Sequence, residues 1–75
     1  MSWIKFEFHS KSDSGLTSRW SIQRANGSSP LGWVAWYAPW RKYTLFTVEG
    51  IVFDYVCLIE IADFCNKQTV LQREK

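Results

Sequence analysis

In this chain of 75 residues the side chains whose types could do chemistry are few: His9, Cys57 and Cys65, and the carboxylates Asp54, Glu60 and Asp63. His9 is the single histidine. An acid–base histidine needs a nucleophile or carboxylate to work with, and no Ser, Cys or Asp here lies in a recognisable catalytic motif. On the polar side of a strand, His9 reads as a surface residue. Cys57 and Cys65 are eight positions apart in one expected helix, hence roughly 12 Å apart. A disulfide needs Cα atoms within about 7 Å, so the two cannot pair in that helix. Reduced thiols fit a cytosolic location. Zinc sites use close cysteine pairs, which this spacing does not supply, so no metal is expected and both cysteines read as small hydrophobes. Cys57 is the more reactive candidate: the helix dipole lowers a thiol pKa in the first turn, although apolar surroundings oppose it.

Asp54 is better explained as a helix cap, and Glu60 and Asp63 as a solvated face. A glycosidase-type pair needs two carboxylates facing each other across a cleft, and one helix does not provide that. Four scattered glycines form neither a phosphate loop nor a dinucleotide fingerprint. The expectation is a protein that is not an enzyme, with no catalytic residue, no cofactor and no metal.

What rises above background is the stretch from Trp33 to Phe46. Trp33, Trp36, Tyr37, Trp40, Tyr43 and Phe46 interleave with Arg41 and Lys42. Strand alternation forbids all of these from facing one core. One reading is that a helix covers one face while the other carries a small packed cluster. The other is a contact surface, for which Trp36, Trp40, Arg41, Lys42 and Tyr43 are the candidate residues. Trp, Tyr and Arg dominate protein–protein hot spots, and the same side chains stack single-stranded bases. Composition does not choose between those partners.

The elements that must position these residues follow from periodicity. Ile4, Phe6 and Phe8 alternate with Lys5, Glu7 and His9, a half-buried strand over about 3–9. Ser10 to Thr17 is turn-rich. A second strand over 18–24 puts Trp20 and Ile22 on one side, and Asn26-Gly27-Ser28-Ser29-Pro30 is a turn. A third strand over 32–38 is apolar on both sides. Pro39 predicts a bulge or bend. Residues 42–47 are extended, with Tyr43 and Leu45 against Thr44 and Phe46, either as a fourth strand or as a continuation of the third. Asp54 then caps a helix over about 55–68, with Leu58, Ile61, Ala62 and Cys65 as its apolar stripe and Phe64 at one edge. Residues 72–75 are expected to fray. The fold expected is α+β, a three- to four-stranded antiparallel meander packed on one C-terminal helix, in a single domain over 1–75.

Size and charge narrow the functions. A chain this short buries only about 60% of its unfolded surface. Its five Trp, five Phe and three Tyr carry more area than one sheet-and-helix layer hides, so some aromatic surface should face solvent or a partner. The formal net charge is +2, with the basic surplus in the sheet half and an acidic surplus after Val48. That is too sparse for the dense basic stripe of a dedicated nucleic-acid binder. The N-terminus runs straight into a strand, so no signal peptide is expected, and no apolar run is long enough to span a membrane.

The run from Trp36 to Phe46, then Val52-Phe53-Asp54, Cys57-Leu58 and Ile61-Ala62-Asp63-Phe64, resembles a family of short phage and prophage proteins of unknown function. Its pattern is a Trp-Arg-x-Tyr strand, a Val/Thr-Phe-Asp helix start, and a Cys-Leu plus Ile-Ala-Asp-Phe helix. The resemblance covers positions 31 to 67. It implies a bacteriophage or mobile-element origin and transfers no catalytic residue. The expected function is a small accessory protein that binds a host or viral protein, or a second copy of itself, without catalysis and without a membrane. The alternative is single-stranded nucleic-acid binding through Arg19, Arg24, Arg41 and Lys42 around the same aromatics.

Overall fold

A computed structural model describes residues 3–27 and 30–74. Four strands, β1 (Ile4–Lys11), β2 (Ser18–Arg24), β3 (Pro30–Tyr37) and β4 (Lys42–Thr47), precede one helix, α1 (Tyr55–Arg73). The strands form one antiparallel sheet in chain order, with β1 and β4 at the edges. This is the α+β meander and helix expected. Residues 42–47 are a separate fourth strand: the chain reverses at Ala38–Arg41, where the Arg41 N–H donates to the Tyr37 and Ala38 carbonyls. Pro39 thus lies in a hairpin turn, a position where its missing N–H costs nothing. Arg41 carries the positive φ of 55° that closes this turn. The Asn26–Pro30 turn falls partly on residues 28–29, outside the described residues.

Register assigns the faces. Phe6 lies opposite Ile22, Ile22 opposite Gly32, Val34 opposite Leu45, and Trp36 opposite Tyr43. Directly opposite residues share a face, so this row forms the helix side of the sheet. Ile4, Ile22, Leu31, Val34, Tyr43 and Ile61 are its buried core. Gly32 is required there: a Cβ would stand 2.7 Å from the Phe46 carbonyl oxygen, inside any allowed contact.

The helix begins as expected. Asp54 is extended (φ −83°, ψ 175°), and its carboxylate accepts the Cys57 N–H at 2.9 Å. Its rotation differs from the expected stripe. Cys57, Ile61, Phe64 and Cys65 pack against the core, whereas Leu58 and Ala62 face outward. Phe64 decides this, because its ring stacks on Phe6 at a centroid distance of 4.0 Å and meets Trp20 edge-on at 5.1 Å. An aromatic ring buries more area than Leu58 and Ala62 can offer. The helix also outruns the expected end at 68, continuing to Arg73 where fraying was expected. Two long-range anchors hold these last turns. Thr69 Oγ1 accepts the Tyr43 N–H at 2.9 Å and donates to the Cys65 carbonyl at 2.7 Å. The Arg73 guanidinium donates to the Arg41 carbonyl at 2.7 Å and 3.2 Å.

Candidate functional site: the open face of the sheet

The side of the sheet away from the helix has no covering layer among the described residues. Its central row runs Ser21, Trp33, Phe46 across β2, β3 and β4, with Ala35 opposite Thr44 and Tyr37 opposite Lys42 nearer the hairpin. Trp40 follows from the turn and meets Tyr37 edge-on at 4.8 Å, while Tyr37 meets Phe46 at 6.3 Å. Tyr37, Trp40 and Phe46 are all exposed, Trp40 to 62%. The patch is aromatic, continuous and bordered by the cations Arg41 and Lys42 at the turn.

The structure divides the five residues singled out in the sequence. Trp40, Arg41 and Lys42 lie exposed at the β3–β4 turn. Tyr43 does not belong with them: it is 5% exposed, and its hydroxyl accepts the Ser18 N–H at 3.2 Å. Trp36 packs on the core beside it, rings edge-on at 5.3 Å. Both even-numbered Trp36 on β3 and odd-numbered Tyr43 on β4 point to the helix, because the hairpin reverses the strand and the register pairs them directly. The open-face aromatics that sequence analysis left out of its site are Trp33, Tyr37 and Phe46. The signal was present in the alternation of Trp33 and Tyr37, but choosing the open side required knowing where the helix docks.

The basic residues divide as well. Arg19 follows Ser21 on the open side, and its guanidinium reaches the Lys11 carbonyl at 3.4 Å. Arg24 lies opposite Ile4, on the helix side, and lines a separate groove of about 820 Å³ with Trp3, Leu31, Ile51, Phe53 and Cys57. Apolar side chains dominate that groove, with Arg24 and Asn26 as the polar ones.

The chemistry-bearing residues do not converge. His9 is exposed and hydrogen-bonded to its neighbour Ser10 at 3.0 Å. Both cysteines are free and half-buried. Burial pushes the Cys57 thiol up, and the hydrogen bond and charge of Asp54 push it further. The dipole effect expected to activate it is outweighed. Burial alone raises Cys65. The Asp54 carboxyl is held below the usual carboxylate range, first by the Cys57 N–H and then by its thiol. Among the described residues no group of three His, Cys, Asp or Glu could hold a metal ion. Among the described residues no helix is long and apolar enough to cross a membrane.

No family model matches the chain, and no solved structure matches it. It is similar to the "Uncharacterized 9.3 kDa protein" of Acholeplasma phage L2, 40% identical over 46 residues. The match takes in 61% of this chain and spans 59% of the relative's length. That likeness supports a short phage protein, as the sequence resemblance implied.

Proposed function

We propose that the chain is a small phage accessory protein that works without catalysis, docking a host or viral protein on the open face of its sheet. Trp33, Tyr37, Trp40 and Phe46 form the contact, with Arg41 and Lys42 at its border. The observation that carries this reading is the aromatic patch itself: it lies on the side the helix leaves bare, where it adds exposed area and little to the core. Large rigid aromatics beside arginine are the composition of a hot spot, since they bury much area for little lost side-chain freedom. The scatter of His9, the cysteines and the carboxylates supports a binding role over an enzymatic one.

Capture experiments test the assignment. Tagged wild-type chain and the double variant Trp40→Ala/Phe46→Ser are each used to retain proteins from a bacterial lysate at ~150 mM salt, where exposed charges are largely screened. A protein retained by the wild type and lost by the variant supports the docking face; identical retention by both overturns it. A parallel titration with a mixed single-stranded oligonucleotide addresses the competing partner. Affinity that falls steeply between ~50 and ~200 mM salt would favour nucleic acid instead. The position of Arg24 on the helix side weighs against that outcome, because it removes one of the four cations such a platform would use.

A further inference from the structure

The two edges of the sheet are finished differently. Along β4 the helix closes the edge, and Thr69 satisfies the outward N–H of Tyr43. Along β1 no described strand or hydrogen bond does the same. The backbone direction of β1 is fixed by one contact. The Ala25 N–H donates to the Trp3 carbonyl at 3.0 Å, and Ile4 lies opposite Arg24 in the same ladder. In an antiparallel pair the hydrogen-bonding groups alternate, so the odd residues of β1 bond to β2. The N–H and C=O groups of Ile4 and Phe6, and the N–H of Phe8, therefore point outward along the bare edge.

The side chains on this edge complement themselves. Lys5 and Glu7 share the open side of the sheet and already pair at 3.2 Å. A two-fold axis at Phe6 would bring Lys5 of each copy opposite Glu7 of the other. It would also set Phe6 against Phe6 and Ile4 against Phe8 on the helix side. Neighbouring registers are worse: centring on Lys5 opposes two lysines, and centring on Glu7 opposes two glutamates. The charges on this edge alternate in sign, so an antiparallel copy meets opposite charges, and the β-bulge between Phe8 and Ser10, a device that ends edge pairing, lies just beyond the stretch from Ile4 to Phe8. A further observation fits the same register. Phe8 is 59% exposed although it lies on the helix side, beyond the helix's reach. A groove of about 330 Å³, floored by Ile4, Phe6 and Phe64 and rimmed by Glu60, Asp63 and Lys67 of α1, opens beside that edge.

We propose that two copies of this chain pair through β1, antiparallel and centred on Phe6, with Phe8 of each copy seated in the other's groove beside Ile4. The product is one continuous eight-stranded sheet. Its helices lie together on one side and its aromatic patches together on the other. The dimer thus leaves the docking face free and presents it twice.

Light scattering across a concentration series, with hydrogen exchange on the same samples, tests this. The wild type should form a dimer in which the amides of Ile4, Phe6 and Phe8 gain protection as concentration rises. Glu7→Lys sets lysine against Lys5 on both sides of the axis and should weaken the dimer by about tenfold or more. The charge swap Lys5→Glu/Glu7→Lys restores opposite charges and should return the affinity to within about threefold of wild type. Trp40→Ala should leave the dimer unchanged. A monomer at every concentration, a dimer indifferent to Glu7→Lys, a swap that fails to restore pairing, or a dimer lost with Trp40→Ala each overturns the proposal. Because Trp40 belongs to the docking face and not to the edge, the two readings fail separately.

Discussion

The two faces of this sheet are built from the same kinds of residue, and the helix covers one of them. On the helix side, Tyr43 meets Trp20 and Trp36 edge-on and Trp20 meets Phe64 edge-on, around Ile22 and Val34, which are fully buried. On the open side, Tyr37 meets Trp40 and Phe46 in a similar chain of aromatic contacts, with the half-buried Trp33 opposite Phe46 in the register and no layer above them among the described residues. Aromatic residue type alone therefore does not distinguish core from exposed face in so small a domain. The covering helix does, and its placement rests on a few specific anchors.

The largest effect that would break the contrast is loss of the core itself. Ile22→Ala should destabilise the fold by about 2–5 kcal/mol, the range for emptying a fully buried aliphatic site. Urea unfolding followed by far-ultraviolet circular dichroism measures it. Next comes the anchor between helix and edge. Thr69→Val keeps the shape but leaves the buried Tyr43 N–H without its acceptor, at a cost of about 1–3 kcal/mol. The same unfolding experiment reads the total, and faster amide exchange at Tyr43 shows that the edge has been uncovered.

These anchors mark where sequence reasoning stopped. Strand alternation grouped Ile4, Phe6 and Phe8 on β1, Trp33, Ala35 and Tyr37 against Val34 and Trp36 on β3, and Tyr43 and Leu45 against Thr44 and Phe46 on β4 as the register does, and the Asp54 cap started the helix at the observed residue. What alternation lacks is a label for the buried side. Assigning Tyr43 to a contact surface went wrong because that label depends on long-range contacts, Tyr43 with Thr69 and Phe6 with Phe64. The helix end was missed for the same reason. Gln72 and Arg73 look like a polar tail locally, and the bond from Arg73 to the Arg41 carbonyl, 32 residues away, holds them to the sheet. The apolar stripe was misplaced by one turn edge, since Leu58 and Phe64 compete for the sheet and the larger ring wins.

Smaller changes sharpen the contrast at the hairpin. Arg41→Gly should raise stability slightly, by less than about 1 kcal/mol, because glycine adopts the positive φ without strain. The carbonyl that Arg73 uses is retained, so any loss of captured protein in this variant reports the guanidinium alone. The smallest effect lies at the far end of the helix. The depressed Asp54 carboxyl contributes stability that is present above the ordinary carboxylate range and is lost as pH falls through the lowered value. Below about pH 4 the wild type should therefore lose stability more steeply than Asp54→Asn, as thermal melts at stepped pH would register.

The most direct test of the central claim is the affinity of the captured protein, once purified, for the wild-type chain and for Trp40→Ala/Phe46→Ser by titration calorimetry. A docking face predicts a loss of about tenfold or more for that variant while its unfolding midpoint stays close to wild type. Equal affinities for the two chains would contradict it and return the open-face aromatics to a purely structural role.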